Sequence, residues 1–206
     1  MSTTVLAVFI PTFFFVSLTP GMCMTLSMTM GMTIGMRRTL WMMGGELLGV
    51  GLVAAASVIG IAAVMLQYPL IFTLVKCLGG LYLIFRGIQM WLSRGRMAID
   101  LNAGDGQAQS RLQLALQGFI TAVANPKGWA FFIALLPPFI NAQQPLFSQL
   151  SILLSIILTI EFLCLILYAG GGKSLNRLLT KNGNIQRLNR IAGTLMSGVG
   201  IWLALS

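Results

Sequence analysis

Three long stretches of this chain carry no charged residue: residues 1–36, 47–75 and 128–160. A helix needs about 20 mostly apolar residues to cross the hydrocarbon core of a bilayer, and each stretch is long enough to supply one. Only 8% of the 206 residues are charged, whereas a soluble domain carries about a quarter. The sequence therefore predicts an all-α integral membrane protein.

Charges and turn residues divide the sequence into six predicted membrane spans: 8–33, 44–66, 70–92, 114–138, 147–170 and 187–205. The first, third and fifth loops, counted together with Arg187 and Arg190 at the start of the sixth span, hold 10 of the 13 Lys and Arg residues, and the N-terminal tail and the even-numbered loops hold none. Because cytoplasmic loops carry an excess of Lys and Arg, the odd-numbered loops are predicted to be cytoplasmic and both termini periplasmic. This distribution accounts for the net charge of +9 without nucleic acid as a partner.

The polar segment 93–113 divides the predicted spans into three and three. We expect one transmembrane domain over 1–206, with a first half at 1–92, a cytoplasmic loop at 93–113 and a second half at 114–206. Since three is odd, the second half enters the membrane from the opposite side. If the halves are related, they form a 3+3 inverted repeat, a common architecture of secondary transporters.

The first span of each half contains a predicted helix break. Proline removes a backbone donor and clashes with the carbonyl four residues before it, so a membrane helix bends or stops there. Freed backbone groups must then face protein, water or a ligand. The sequence predicts that substrate binds at these breaks, and the alternative is that both are packing kinks. The candidate binding residues are Thr19, Pro20 and Gly21 in the first half, and Asn125, Pro126 and Lys127 in the second.

Two charged residues, Lys127 and Glu161, lie deepest in the predicted spans. Ionisable groups at such depth are costly and indicate functional sites. We expect both to face one cavity, with Lys127 attracting a carboxylate and Glu161 an ammonium group or a proton; a structural ion pair between them is the alternative. Glu46, one turn into the second span, is a second candidate for proton coupling. Helix capping or pairing with the adjacent Arg37–Arg38 would also explain it.

Several classes of protein are excluded. The chain has no histidine, and its three cysteines are far apart in apolar runs, so no catalytic triad or metal site is predicted. No phosphate-binding loop or nucleophile elbow occurs. The protein is therefore not expected to be an enzyme or to hold a cofactor.

The sequence contains a set of motifs spread over nearly the whole chain. They are Leu18-Thr19-Pro20-Gly21, Arg37-Arg38, Leu78-Gly79-Gly80-Leu81-Tyr82-Leu83, Ala124-Asn125-Pro126-Lys127, Phe131-Phe132 and Leu135-Leu136-Pro137. Together they resemble the lysine exporter (LysE/RhtB) family of amino-acid efflux proteins. The resemblance implies six helices, a bacterial inner-membrane location and export of amino acids or close derivatives by proton exchange. Glu161 matches a recurring acidic residue of the family's fifth span. Met22 stands where the family usually has a second proline, and Val50 where many members have an acidic residue.

The predicted function is export of neutral or zwitterionic amino acids or close derivatives, such as homoserine, threonine or homoserine lactone, by proton antiport. The expected partners are the substrate, protons and the lipid bilayer. Glycine-rich faces of the second and third spans would also permit a homodimer. The alternatives are efflux of another small metabolite and a membrane scaffold subunit without transport activity.

Overall fold

A computed structural model describes residues 3–67, 69–92, 109–136, 139–141, 143–180 and 184–205. These residues form eight α-helices and no strand, as expected for an all-α protein. The helices are α1 (Thr3–Leu18), α2 (Met22–Thr33), α3 (Met36–Gln67), α4 (Pro69–Leu92), α5 (Arg111–Val123), α6 (Pro126–Leu135), α7 (Leu146–Thr180) and α8 (Asn184–Leu205).

Both predicted helix breaks are present. The first separates α1 from α2, which are bent by 54° relative to each other. The second separates α5 from α6, and Pro126 begins α6, a position where its missing N–H costs no hydrogen bond. Each break therefore lies at the proline from which it was predicted.

The first loop is shorter than predicted. The sequence placed Arg37 and Arg38 in a loop, but α3 already begins at Met36, so both lie in its first turn. Gly35 makes this tight connection possible, because its φ of +80° is a conformation that side-chain-bearing residues rarely adopt. Arg37 and Arg38 mark the end of the first uncharged stretch, but the turn between the helices comes before them, at Gly35.

Helix α7 likewise extends past its predicted end at residue 170. It continues to Thr180 through a kink at Gly172, where φ is +39°. The capping box of α5 explains its start, since the Ser110 hydroxyl accepts from the Gln113 N–H and the Gln113 side chain accepts from the Ser110 N–H. Most of the predicted loop 93–113 lies outside the described residues.

Among the described helices, two are long and apolar enough to cross a membrane alone. These segments are Met36–Gly60 of α3 and Leu146–Gly172 of α7, and the bent pair α1–α2 makes a third when taken as one span. Helix α4 contributes a shorter apolar segment, Cys77–Leu92. The predicted set of six spans stays a prediction.

Close helix crossings hold the bundle together. Helix α3 packs along α5, α4 along α8, and α2 along α7. Glycine permits each crossing: a Cβ on Gly45 would run into the Ala115 carbonyl, and one on Gly31 into the backbone of Ala169. Gly87 of α4 and Gly193 of α8 meet in the same way. These contacts bring both broken helices against α3 and α7.

Candidate functional site

A cavity lies between the two helix breaks. It has an empty volume of about 600 Å³ including its open side. Helices α1, α2, α3, α5, α6 and α7 all contribute to its wall. The lining residues are Phe13, Val16, Ser17, Thr19, Gly21, Met22, Cys23, Met24, Val50, Val53, Ala122, Asn125, Gly128, Phe131, Phe132 and Glu161.

Among the described residues of this wall, Glu161 is the charged one. It lies near the middle of the apolar segment Leu146–Gly172, and its side chain is 9% exposed. Its Oε2 atom accepts a hydrogen bond of 2.7 Å from the Ser17 hydroxyl, three residues before Pro20. The carboxyl group is thus held at the first helix break.

Freed carbonyl groups at the first break are satisfied from two directions. The Thr19 N–H donates to the Val16 carbonyl at 3.2 Å, the carbonyl that Pro20 cannot reach. The Leu18 carbonyl accepts a 2.7 Å hydrogen bond from the hydroxyl of Tyr168 on α7. The Thr19 hydroxyl donates back to the Phe15 carbonyl at 2.8 Å. The first break therefore depends on a side chain from another helix.

The second break is satisfied locally. The Asn125 N–H donates to the Ala122 carbonyl at 3.3 Å, in the same relation to its proline as at the first break. The Val123 carbonyl accepts a 2.8 Å hydrogen bond from the indole N–H of Trp129, which belongs to α6 itself. This break is closed by the residues that flank it.

One hydrogen bond joins the two breaks directly. The Asn125 amide Nδ2 donates to the Cys23 Sγ atom over 3.6 Å. Cys23 lies in the first turn of α2, and both side chains line the cavity. Since a thiol is a weak acceptor, this link holds the amide without fixing it firmly.

Three phenylalanine rings form an aromatic wall of the cavity. The ring of Phe13 lies 5.9 Å from that of Phe131 and 6.1 Å from that of Phe132, measured between centroids. These rings give the cavity wall an apolar part in addition to a carboxyl group and an amide. Such a combination suits a small molecule with a charged group and a short neutral side chain.

The structure brings four of the predicted site residues to one cavity: Thr19, Gly21, Asn125 and Glu161. Pro20 lies between two of them without lining the wall. The side chains of Pro126 and Lys127 lie outside the described part of the structure, so the predicted approach of Lys127 to Glu161 stays a prediction.

Glu46 differs from its predicted setting. It lies ten residues into α3 and is 0% exposed, so it does not cap the helix. Within the described residues neither carboxylate oxygen makes a hydrogen bond of good geometry, but the carboxyl group lies beside the Cys23 thiol. Pairing with Arg37 or Arg38 is therefore wrong, and Arg38 donates instead to the Gln109 carbonyl. Glu46 also does not line the cavity.

Sequence reasoning missed four residues of the site: Ser17, Cys23, Trp129 and Tyr168. A signal existed for two of them. Ser17 belongs to the same motif as Pro20, and Tyr168 follows Glu161 by seven residues, which places both on one face of α7. No pattern in the sequence indicated that Cys23 would face Asn125.

Broken helices that meet at a cavity holding a buried carboxyl group are typical of membrane transporters. The chain matches the LysE type translocator family over residues 14–206 and belongs to that family. The homoserine/homoserine lactone efflux protein of Salmonella typhimurium is 30% identical over 188 residues, which are 91% of this chain and 90% of that protein. The Salmonella typhi protein of the same name is also 30% identical over 188 residues, with the same coverage.

An uncharacterized membrane protein of Vibrio cholerae is 28% identical over 188 residues, again 91% of this chain and 90% of its own length. No solved structure matches the chain. The membership agrees with the family indicated by the sequence motifs, and it makes the protein a membrane transporter.

Proposed function

We propose that this protein exports small neutral or zwitterionic amino acids, or close derivatives such as homoserine lactone, from the bacterial cytoplasm in exchange for protons. The observation that carries the proposal is the buried Glu161 carboxyl group in a cavity between two helix breaks. The name of the Salmonella relative, at 30% identity, supports homoserine and its lactone as substrates.

Each part of a zwitterion has a counterpart in the site. The substrate ammonium group binds the Glu161 carboxylate. The substrate carboxylate lies toward the start of α2, where Gly21 precedes the helix without a side-chain cap and the cavity wall continues through Met22 and Cys23. Unpaired N–H groups at a helix start favour anions. Lys127 adds positive charge from the second break.

The aromatic wall selects the side chain of the substrate. A short neutral group packs against Phe13, Phe131 and Phe132, whereas a charged group would lose its hydration there without a partner. This favours threonine or homoserine over a basic amino acid.

Proton coupling is assigned to Glu161, with Glu46 as a second carrier. Carboxyl groups buried in membrane helices are rare and mark proton or ion pathways. Glu161 lines the cavity and so can exchange a proton for a substrate ammonium group. Glu46 is buried on the neighbouring helix α3 without a hydrogen bond of good geometry among the described residues.

Helix packing supports six spans in two inverted halves. Helices α4 and α8 are equivalent in such a repeat and pack together, as do α3 and α7. Helix α3 packs on the broken helix of the second half, and α7 packs on that of the first. In this proposal residues 1–206 form one domain in the inner membrane, with both termini in the periplasm.

The test is export from proteoliposomes loaded with labelled threonine, homoserine or homoserine lactone under an imposed proton gradient. Glu161→Gln keeps the size of the side chain and removes its charge, so we expect export to fall by at least about 100-fold while the protein stays folded. Asp105→Asn makes the same chemical change in the predicted loop and is expected to leave export unchanged. Full export by Glu161→Gln, or export insensitive to a protonophore, would overturn the assignment.

A further inference from the structure

Helix α7 is tied to both halves of the first broken helix by side-chain hydrogen bonds. Tyr168 donates to the Leu18 carbonyl at the end of α1, and Ser27 of α2 donates to the Leu165 carbonyl at 2.9 Å. The third bond runs from Ser17 to Glu161. The first two use backbone carbonyls, whereas the third occupies a carboxyl oxygen that the proposed transport cycle needs.

Ser17 stands at the point where substrate must arrive. It lines the cavity beside Glu161, is 9% exposed, and approaches the Oε2 atom to 2.7 Å. Glu161 is the residue through which α7 reaches the cavity wall among the described lining residues. A substrate ammonium group that binds this carboxyl from the cavity therefore meets the Ser17 hydroxyl already in place.

We propose that the Ser17 hydroxyl occupies the position on Glu161 that the α-ammonium group of the substrate takes, so that substrate binding breaks the Ser17–Glu161 bond between α1 and α7. The inference rests on the proposed function and makes Ser17 a specificity-determining residue. A charged donor forms a stronger hydrogen bond to a carboxylate than a neutral hydroxyl does, so an amine displaces Ser17. A neutral molecule without an amine has no such advantage and leaves α1 and α7 joined.

The discriminating variant is Ser17→Ala, assayed for concentration-dependent export in proteoliposomes. Without the competing hydroxyl, we expect the half-saturating concentration of homoserine lactone to fall about three- to tenfold, because a hydrogen bond to a charged group no longer has to be exchanged. The maximal rate falls, since breaking of the Ser17–Glu161 bond no longer accompanies substrate binding. Competition by γ-butyrolactone, which lacks the amine, is expected to stay as in the wild type.

Two further variants complete the test. Ser17→Cys keeps the shape of the side chain and replaces the hydroxyl by a weaker donor, so it shifts the half-saturating concentration in the same direction and remains informative if Ser17→Ala does not fold. Ser57→Ala is the matched control. Its buried hydroxyl donates to the Val53 carbonyl of its own helix at 2.8 Å, and its loss is expected to leave half-saturation unchanged.

The outcomes separate the inference from the proposed function. If the wild-type protein exports no amine-bearing compound, the proposed function fails. If the wild type exports but the Ser17 variants have the same half-saturating concentration, the role of Ser17 is overturned. It is also overturned if the variants gain as much affinity for the amine-free competitor as for the amine-bearing substrate. A shift confined to amine-bearing substrates supports it.

Discussion

The two helix breaks share one backbone pattern and differ in what completes it. At both, the N–H of the residue before proline donates to the carbonyl four positions before proline: Thr19 to Val16, and Asn125 to Ala122. At the first break a further carbonyl is satisfied by Tyr168 of α7. At the second break the Val123 carbonyl accepts from the indole N–H of Trp129, six residues later in the chain.

We expect this difference to make the first break more sensitive than the second to movement of a neighbouring helix. Movement of α7 relative to α1 would leave the Leu18 carbonyl without its donor and would shift Glu161 from Ser17. The bond from Trp129 of α6 to Val123 of α5 spans the second break itself, so it does not depend on the position of α7. The first break is therefore expected to respond to substrate and protons, while the second supplies a fixed wall.

The largest effect on stability is expected at the glycines where the two broken helices pack against α3 and α7. Gly45 of α3 meets Ala115 of α5, and Gly31 of α2 meets Ala169 of α7. Alanine at either position forces backbones apart, and overpacking of this kind costs about 1–3 kcal/mol. We expect Gly45→Ala and Gly31→Ala each to lower the thermal midpoint in detergent and the yield of monodisperse protein.

Gly44→Ala is the control for this comparison. A Cβ at Gly44 has nothing within 4 Å, and alanine favours a helix over glycine by about 1 kcal/mol. Its midpoint is expected to stay the same or rise. Equal stability of Gly45→Ala and Gly44→Ala would show that the crossing of α3 and α5 does not need glycine.

An intermediate effect is expected from removing the aromatic donor at each break. Tyr168→Phe removes the hydroxyl that reaches Leu18 and leaves a buried carbonyl unsatisfied, which costs about 1–3 kcal/mol. Because that bond joins α1 to α7, we expect export to fall about tenfold. Trp129→Phe removes the equivalent donor within one segment and is expected to lower thermal stability by a similar energy with export reduced less than about twofold.

Export rates and thermal midpoints should be measured on both variants together. The comparison holds if transport is impaired mainly in Tyr168→Phe. An equal loss of export in both would mean that the two breaks are mechanically alike.

The smallest expected effect concerns the link between the breaks. Cys23→Ala removes the sulfur acceptor of Asn125, and since a thiol is a weak acceptor we expect half-saturation for threonine to change less than about twofold. Cys164→Ala, which removes another buried thiol, serves as the reference. A change of more than about fivefold in Cys23→Ala alone would show that the link carries more energy than a thiol contact supplies.

Much of the fold could be predicted because prolines and charges act locally. Both breaks lie where Pro20 and Pro126 predicted them, although a proline does not end every helix, since Pro11 lies inside α1. The ends of α3 and α7 were missed for the opposite reason. A charged residue such as Arg37 ends an apolar run without ending a helix, and the turns depend on the φ angles of Gly35 and Gly172.

The site was predicted in part. Glu161 and Asn125 were found because a carboxyl group or an amide beside a broken helix is conspicuous within an apolar span. Ser17, Cys23 and Tyr168 are ordinary residues for a membrane helix, and their roles arise from which helices pack together. For Glu46 the predicted position in its helix was too shallow, because α3 begins at Met36 and not at residue 44. Pairing with Arg37 or Arg38 was also wrong, since proximity in sequence does not imply contact across three turns of a helix.

Helices α4 and α8 pack along each other through Gly87 and Gly193, and no described residue of either helix lines the cavity. Mutation can therefore alter the choice of cargo without disturbing this pair. Among relatives that export different compounds, substitutions should accumulate around positions such as Val50 and Phe131. The residues where α4 packs against α8 should stay small. Conservation between α4 and α8 would then reflect common ancestry, and variation in the cavity wall would reflect the compounds that each relative exports.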